Sequence, residues 1–146
     1  MDISIRASKE SAREYALRQI RENIIYLKLK PGSAVSENEL AKELGVPYTI
    51  HAGEADGPES VYKALEFGTK RVGHGVRSIE DDRLIKRLVD EGITLELCPT
   101  SNMNTNIFDR MEEYPIKKLL DAGVRVTVNT DNMTVSGTCL RREYKL

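Results

Sequence analysis

The sequence predicts an α/β protein with a parallel sheet, preceded by a purely helical segment. Two observations lead to this prediction. From Tyr48 onward, short apolar runs typical of buried strands alternate with helical runs at a spacing of roughly 20 to 30 residues, the pattern of β-α-β units. Before Pro47 there is no such alternation, and apolar residues recur at helical spacing instead.

The segment before Pro47 is predicted to contain two helices joined by a turn. Over residues 8–29, apolar side chains recur at steps of three and four, at Ala12, Ala16, Ile20, Ile24 and Leu27. The letters SARE at 11–14 resemble a capping box, and a later Pro-Gly pair breaks the helix. A second box, SENE at 36–39, begins a short helix that stops at Gly45. This order is typical of the opening of a helix-turn-helix unit.

The rest of the chain alternates strand-like and helical runs. The strand-like runs are YTIHA at 48–52, KRVGHG at 70–75, ITLELCP at 93–99 and VRVTVNTD at 124–131. The helical runs are PESVYKALEFG at 58–68, IEDDRLIKRLVDEG at 79–92, YPIKKLLDAG at 114–123 and TCLRREYKL at 138–146. The first three have Pro or an acidic residue near the start and Gly at the end, as helix boundaries commonly do. We therefore predict four parallel β-α units.

Composition and charge exclude several function classes. The 146 residues carry a formal net charge of −1, so no overall field attracts the chain to nucleic acid or to a membrane surface. Cys98 and Cys139 do not form a secretory disulfide framework, and we expect Cys98 to be a small buried hydrophobe. The N-terminus is too polar for a signal peptide, and no apolar run reaches membrane-spanning length. We expect a soluble, cytoplasmic protein.

Polar and reactive residues follow all four predicted strands. They are His51 and Glu54 in HAGE, His74 in GHG, the letters CPTSN at 98–102, and Asp131 with Asn132 in NTDN. Solvated loops place polar residues at strand ends in any protein, and for a single position that explanation would suffice. For four positions together we favour a functional origin, because the carboxyl ends of parallel barrel strands converge on one face where catalytic groups gather.

Residues 48–146 closely resemble the C-terminal half of the zinc-dependent adenosine deaminases, members of the amidohydrolase superfamily. The resemblance rests on the four strand-end motifs and implies the C-terminal half of a (β/α)8 TIM barrel. It implies that His51 of HAGE and Asp131 of NTD are zinc ligands. Zinc lowers the pKa of a bound water to about 7, which makes hydroxide available at neutral pH.

The same resemblance implies the roles of four further residues. Glu54 would handle the proton at the purine ring nitrogen, and His74 would orient the attacking hydroxide. Asn132, where relatives often have aspartate, would contact the purine, and the glycine-rich stretch at Gly53 would allow substrate to approach the backbone. The implied reaction is the hydrolytic deamination of adenosine, or a related purine nucleoside, to inosine.

The resemblance also exposes missing parts. Adenosine deaminases carry a His-x-His pair on their first strand, but this chain has only the two histidines His51 and His74. The family layout therefore supplies two zinc ligands here, whereas a catalytic zinc site ordinarily has about three protein ligands plus water. Strands one to four of the barrel are also absent. We expect zinc to bind weakly, if at all, and the chain to be inactive on its own.

Residues 8–46 resemble the start of the winged-helix DNA-binding domain of GntR-type bacterial regulators. The matching features are the first helix and LKPGSAVSENELAKELGV at 29–46, in that order. A recognition helix and a β-hairpin wing would follow in that family, but YTIHAGE at 48–54 stands in their place. The basic residues are interleaved with acidic ones, which favours a solvated helix face over a phosphate-binding patch; they include Arg13, Arg18, Arg21 and Lys42.

The two resemblances meet at GVPYT, residues 45–49, and divide the chain into predicted domains 1–47 and 48–146. We interpret the chain as a chimera of a truncated regulator segment and a deaminase half-barrel. Two alternatives stay open at this stage. The chain could be a regulator fragment or DNA-binding module with a C-terminal effector part, or a purely structural fragment whose strand-end residues are relics.

A four-stranded parallel sheet with helices on one side has an uncovered second face. We expect alternating apolar residues to be exposed on that face, among them Leu95, Leu97, Val126 and Val128. The two outer strands would also present unpaired backbone groups. Both features predict that the chain forms a homo-oligomer.

Overall fold

The computed structural model describes all 146 residues and divides them into two compact units. The first unit is Met1–Tyr48 and the second is Thr49–Leu146.

The first unit contains two helices and no strand. Helix α1, Ala12–Ile25, begins with the predicted capping box between Ser11 and Glu14, and helix α2, Glu37–Leu44, is capped by the Ser36 side chain and ends at Gly45 in the left-handed conformation. Both predicted helices are confirmed, although α1 is shorter than residues 8–29. No helix of the structure combines the length and the apolar character that crossing a membrane requires.

The apolar stripe predicted for α1 is only partly buried, with Ala12, Ala16 and Ile20 half-buried. The buried residues of this helix are Tyr15, Gln19 and Asn23, whereas Ile24 is exposed. Gln19 and Asn23 are buried because they make polar contacts, which a pattern of apolar residues cannot predict. Residues Asp2 and Ser4 lie along α1, where their backbone N–H groups donate to the Asn23 and Gln19 side chains at 2.7 and 2.8 Å.

The second unit is a four-stranded parallel sheet. Its strands are β1, Thr49–Ala52; β2, Arg71–His74; β3, Thr94–Leu97; and β4, Arg125–Val128. They are hydrogen-bonded in chain order, with His51 paired to Gly73, Gly73 to Glu96, and Glu96 to Thr127. This arrangement confirms the predicted α/β class with four parallel strands.

Three helices connect the strands and carry the core. They are α3, Pro58–Glu66; α4, Asp82–Asp90; and α6, Ile116–Asp121. Parallel crossovers are right-handed, so consecutive connections in an unreversed strand order place these helices on the same face of the sheet. Their apolar residues pack with the sheet in one cluster that includes Val61, Leu84, Leu88, Leu119 and Leu95.

Short helices follow the last two strands. Helix α5, Pro99–Asn104, comes directly after β3; helix α7, Met133–Ser136, follows β4; and helix α8, Leu140–Glu143, lies near the end of the chain. Turns of 3₁₀ helix occur at Val76–Glu80 and Met111–Glu113. The sequence did not predict α5 or α7, because each is short and lacks apolar periodicity.

The expectation of exposed Leu95 and Leu97 is wrong. Both side chains are fully buried, because they point toward the helices, and Val126 and Val128 are half-buried. The alternate positions form the other face, where Arg71 pairs with Glu96 at 2.6 Å. This face of the sheet is therefore polar. The apolar surface on which we based the prediction of a homo-oligomer is absent from it, and homo-oligomer formation stays a prediction.

Candidate metal centre

The ends of three strands bring a set of metal-binding side chains together. His51 is the third residue of β1, His74 is the last residue of β2, and Asp131 lies three residues beyond β4. One potential ligand atom from each lies within 4.8 Å of the other two. We call His51, His74 and Asp131 the donor cluster. Residues distant in sequence meet here because parallel strands end on one side of the sheet.

Gly73 leaves room for the His51 ring. Gly73 is paired with His51 across the sheet, and a Cβ atom at this position would lie 3.1 Å from His51 Cγ. The imidazole is exposed and tilted against the His74 ring, with 5.2 Å between ring centroids. His51 therefore presents its ring to the open side of the donor cluster.

His74 is the buried member of the donor cluster, with 2% of its surface exposed. Its Nδ1 lies 3.1 Å from Asn102 Nδ2, and its Nε2 lies 3.4 Å from Glu54 Oε2. Burial lowers the pKa of His74 below its ordinary value, although the Glu54 carboxylate opposes that effect. The imidazole is thus neutral near pH 7 and has one donating and one accepting nitrogen.

Glu54 follows β1 and is held beside the donor cluster. Its side chain is 27% exposed, so the carboxylate is reachable from solvent. Asn102 Nδ2 donates to Glu54 Oε1 at 3.3 Å. The carboxylate thus has one contact with a buried amide and another with the His74 ring, and it faces the same space as the donor cluster.

Asp131 is held by a serine from α5. Ser101 Oγ donates to Asp131 Oδ2 at 2.6 Å. This hydrogen bond is the main cause that keeps the pKa of Asp131 below its ordinary value, with the backbone of Asn132 contributing. The carboxylate is therefore ionised at neutral pH, which is the state that binds a metal ion.

Two members of the donor cluster have unusual backbone conformations. His74 has φ of 61° and Asp131 has φ of 47°, and both are non-glycine residues in the left-handed region. Such conformations cost roughly 1–3 kcal/mol each and are found most often at functional sites.

The two predicted substrate-contacting residues have structural partners. Asn132 caps α7, where its Oδ1 accepts from the backbone N–H groups of Thr134 and Val135 at 3.0 Å each. The Gly53 N–H donates to Ser60 Oγ at 2.8 Å, and its carbonyl accepts from the Arg77 N–H at 3.0 Å. Contact of Asn132 or Gly53 with a purine stays a prediction.

Sequence reasoning missed three residues that support the site. Ser101 and Asn102 lie in CPTSN, which was recognised as a strand-end motif without roles for these two side chains. Tyr114 donates its hydroxyl proton to Asn102 Oδ1 at 3.0 Å, and no sequence signal marked it. Cys98 in the same motif is buried, which confirms the prediction for it, and burial raises its pKa to about 12.

Helix α5 is anchored by a carboxylate from the end of the chain. The buried Glu143 of α8 accepts from the Thr100 N–H at 3.0 Å and from the Thr138 hydroxyl. Because α5 carries Ser101 and Asn102, Glu143 helps to fix the helix that holds Asp131 and His74.

Comparison with known proteins decides the family. A family model described as adenosine deaminase matches residues 8–146. The chain belongs to the adenosine deaminase family. The match includes residues 8–46, and no similar protein found supports a GntR winged helix or a chimera.

Curated relatives match about three quarters of the chain. The adenosine deaminase of Haemophilus ducreyi is 52% identical over 110 residues, 75% of this chain and 32% of that relative. The adenine deaminase of Rhizobium rhizogenes is 50% identical over 109 residues, 74% of this chain and 34% of that relative. The chain thus spans about a third of the length of these relatives.

Solved structures show the same fold. The adenine deaminase of Arthrobacter aurescens superposes with a TM-score of 0.71 at 24% identity, covering 94% of this chain and 46% of that one. The N6-methyl-AMP deaminase of Arabidopsis thaliana superposes with a TM-score of 0.64 at 28% identity, covering 73% and 31%. An amidohydrolase of Burkholderia ambifaria, solved with bound Zn, has a TM-score of 0.64 at 22% identity, covering 94% and 43%. The family and the donor cluster together imply a metal cofactor.

Proposed function

We propose that residues 49–146 provide half of a zinc-dependent centre that deaminates adenosine or a related purine. The observation that carries this proposal is the donor cluster, whose ligand atoms lie within 4.8 Å of one another while Glu54 lies 3.4 Å from His74. A set of metal ligands with a carboxylate beside it is typical of the active site of a metal-assisted hydrolase.

The donor atoms fit zinc in type but not in number. His51 and Asp131 offer an imidazole nitrogen and a carboxylate oxygen, both usual zinc ligands. A ligating histidine normally donates its second ring N–H to an acceptor, but His74 Nδ1 faces the Asn102 amide nitrogen. His74 is thus a poor third ligand. With two ligands from these residues zinc should bind weakly, and a complete centre needs a ligand from outside them.

The residues around the metal have separate tasks in this proposal. Bound zinc would supply Lewis acidity and a water molecule of lowered pKa. Glu54 is close enough to the open side to deliver a proton to a purine ring nitrogen, and its 27% exposure leaves it accessible to substrate. His74 would direct its ring N–H at the attacking oxygen. Asn132 and Gly53 are proposed to contact the purine.

The substrate class follows from the relatives. The two relatives from Haemophilus ducreyi and Rhizobium rhizogenes are named for adenosine and for adenine, which share the 6-aminopurine ring. Glu54 and the donor cluster would act on the part of the substrate that both molecules contain. Discrimination between nucleoside and free base would depend on residues that contact the sugar.

A hybrid enzyme tests the proposal. Residues 49–146 would replace the matching segment of the Haemophilus ducreyi relative, and conversion of adenosine to inosine would be followed. We expect the zinc-loaded hybrid to be active and Glu54→Gln to reduce its rate by at least about 100-fold, since general acid catalysis contributes that much. The 146-residue chain alone should show no enzymatic turnover, because it lacks the His-x-His ligands.

Two outcomes would contradict the proposal. One is a folded, zinc-containing hybrid that does not deaminate adenosine. The other is a hybrid whose activity is the same with and without Glu54→Gln. Turnover by the 146-residue chain that Glu54→Gln abolishes would show instead that the missing ligands are dispensable.

The regulator-like origin of residues 8–46 stays a separate hypothesis. Helices α1 and α2 match the two helices expected, but Met1–Tyr48 contains no third helix and no hairpin. Arg18 is paired with Glu10 at 2.8 Å and with Glu22 at 3.8 Å, so it is not a free phosphate contact. Fluorescence anisotropy with duplex DNA at low salt should show weak or no binding, and tight binding would support the DNA-binding alternative.

A further inference from the structure

A buried amide connects the two groups proposed to move and direct protons. Asn102 is fully buried, and all of its side-chain polar atoms have partners. Its Nδ2 lies 3.3 Å from Glu54 Oε1 and 3.1 Å from His74 Nδ1, and its Oδ1 lies 3.0 Å from the Tyr114 hydroxyl. Three side chains from three parts of the second unit therefore meet on one amide.

The partners of Asn102 determine which way its amide faces. The NH₂ group faces Glu54, because Nδ2 donates to Oε1, and a carboxylate oxygen is the acceptor that an amide NH₂ requires. On the opposite side, the Tyr114 hydroxyl donates to Oδ1. Burial raises the pKa of Tyr114, so that hydroxyl keeps its proton at all ordinary pH values. The orientation of the amide is thus set from both ends.

We propose that Asn102, oriented by Tyr114, is a positioning residue that fixes the tautomer of His74. The second N–H of Nδ2 points at His74 Nδ1, which must accept it. In a neutral imidazole the other nitrogen then carries the proton, so His74 has an N–H at Nε2. This nitrogen faces Glu54 and the open side of the donor cluster.

The fixed tautomer gives His74 a different task from His51 and Asp131, which are the proposed metal ligands. A histidine with a proton on Nε2 offers the site a hydrogen-bond donor rather than a lone pair. Binding a metal through Nε2 would move the proton to Nδ1 and bring two donors, Nδ1–H and the Asn102 amide, face to face. The inference rests on the proposed function only in assigning a purpose to the Nε2–H group.

Nitrogen NMR of the metal-free chain tests the tautomer directly. The chain has two histidines, so a ¹⁵N-labelled sample gives two ring systems, and His51→Ala assigns them. At a pH above the ordinary histidine pKa of about 6.5, we expect His74 Nδ1 to resonate as an unprotonated nitrogen and Nε2 as a protonated one. A protonated Nδ1 in the unmodified chain would overturn the proposal.

Two variants test the residues that set the tautomer. Asn102→Asp replaces the donor with an acceptor, so Nδ1 should become protonated. Tyr114→Phe removes the hydroxyl that holds the amide, so the His74 signals should move toward a mixture of tautomers. Tyr62→Phe is the matched control, because it removes a hydroxyl that donates to Asp81 at 3.1 Å, and it should leave His74 unchanged. An unchanged Nδ1 signal in both test variants would overturn the proposal.

The measurement stands apart from the proposed function. It uses neither metal nor substrate, so the tautomer can be fixed as described even if the hybrid enzyme is inactive. In the same way, an active hybrid with a His74 that carries its proton on Nδ1 would refute only the role of Asn102.

Discussion

Ser101 is the clearest example of how one side chain tunes another at this site. Its hydroxyl donates to Asp131 Oδ2, and it comes from α5 rather than from a residue near Asp131 in sequence. The contact engages one oxygen of the carboxylate and so restricts the rotation of the Asp131 side chain. Partners of this kind orient metal ligands and raise the affinity of the site.

We predict that Ser101→Ala weakens zinc binding by about 10-fold or more, because partners of metal ligands usually contribute that much. The Asp131 carboxylate loses its strongest hydrogen bond and becomes free to rotate. Competition with a chromophoric zinc chelator would measure the affinity.

Ser78→Ala is the matched control for that prediction. Ser78 is equally enclosed in the second unit, and its Oγ has no hydrogen-bond partner. Its removal should leave zinc affinity unchanged. Equal affinities for the two variants would show that the hydrogen bond to Asp131 does not support the metal site.

At the scale of elements, the β1–α3 connection is shaped by a glycine. Gly53 has φ of 63°, and a Cβ atom there would lie 2.6 Å from Val61 Cγ2 and 3.0 Å from the Gly75 Cα. The residue therefore allows the loop between His51 and Glu54 to pass close to the strand ends. The sequence predicts that Gly53 allows substrate to approach the backbone, and the structure adds close packing as a second reason for a glycine at this position.

We predict that Gly53→Ala destabilises the second unit by about 1–3 kcal/mol more than Gly68→Ala does, the usual cost of overpacking. Both glycines have positive φ, at 63° and 83°, so both changes incur the strain of the left-handed region. Only Gly53 has atoms within 4 Å of the new methyl group. Urea unfolding would compare the two variants, and equal losses of stability would show that the loop has room to adjust.

The order of strands and helices was predictable from the sequence, but the side-chain contacts between them were not. The four strands end within HAGE and GHG and directly before CPTSN and NTD, because apolar runs and their polar ends are local signals. Helix α5 gave no periodic signal over its six residues. The link between Asn102 and Tyr114 joins residues twelve apart through a side-chain contact, which no local pattern specifies.

The sequence also did not show which face of each strand and helix is buried. Leu95 and Leu97 alternate with Thr94 and Glu96, and this pattern shows that the strand has two faces without showing which one the helices cover. The fully buried Gln19 and Asn23 of α1 were unpredictable for a related reason, since they are buried through hydrogen bonds rather than through apolar character. Polar burial depends on partners elsewhere in the chain.

For the molecule as a whole, the proposed metal half-site is built from two strand ends. His51 and Asp131 lie 80 residues apart in the sequence and belong to opposite sides of the four-stranded sheet order. Only the folded second unit brings them together. Zinc binding by the chain should therefore disappear together with the tertiary structure as well as with either ligand.

Equilibrium dialysis of the purified chain against zinc tests this claim most directly. We expect the unmodified chain to bind one zinc ion weakly and saturably, and His51→Ala and Asp131→Ala each to remove that binding. The control Asp121→Ala changes an exposed carboxylate whose partner is Lys117, at 2.6 Å, and should bind zinc like the unmodified chain. Zinc binding that is the same in the His51→Ala variant as in the unmodified chain would contradict the account.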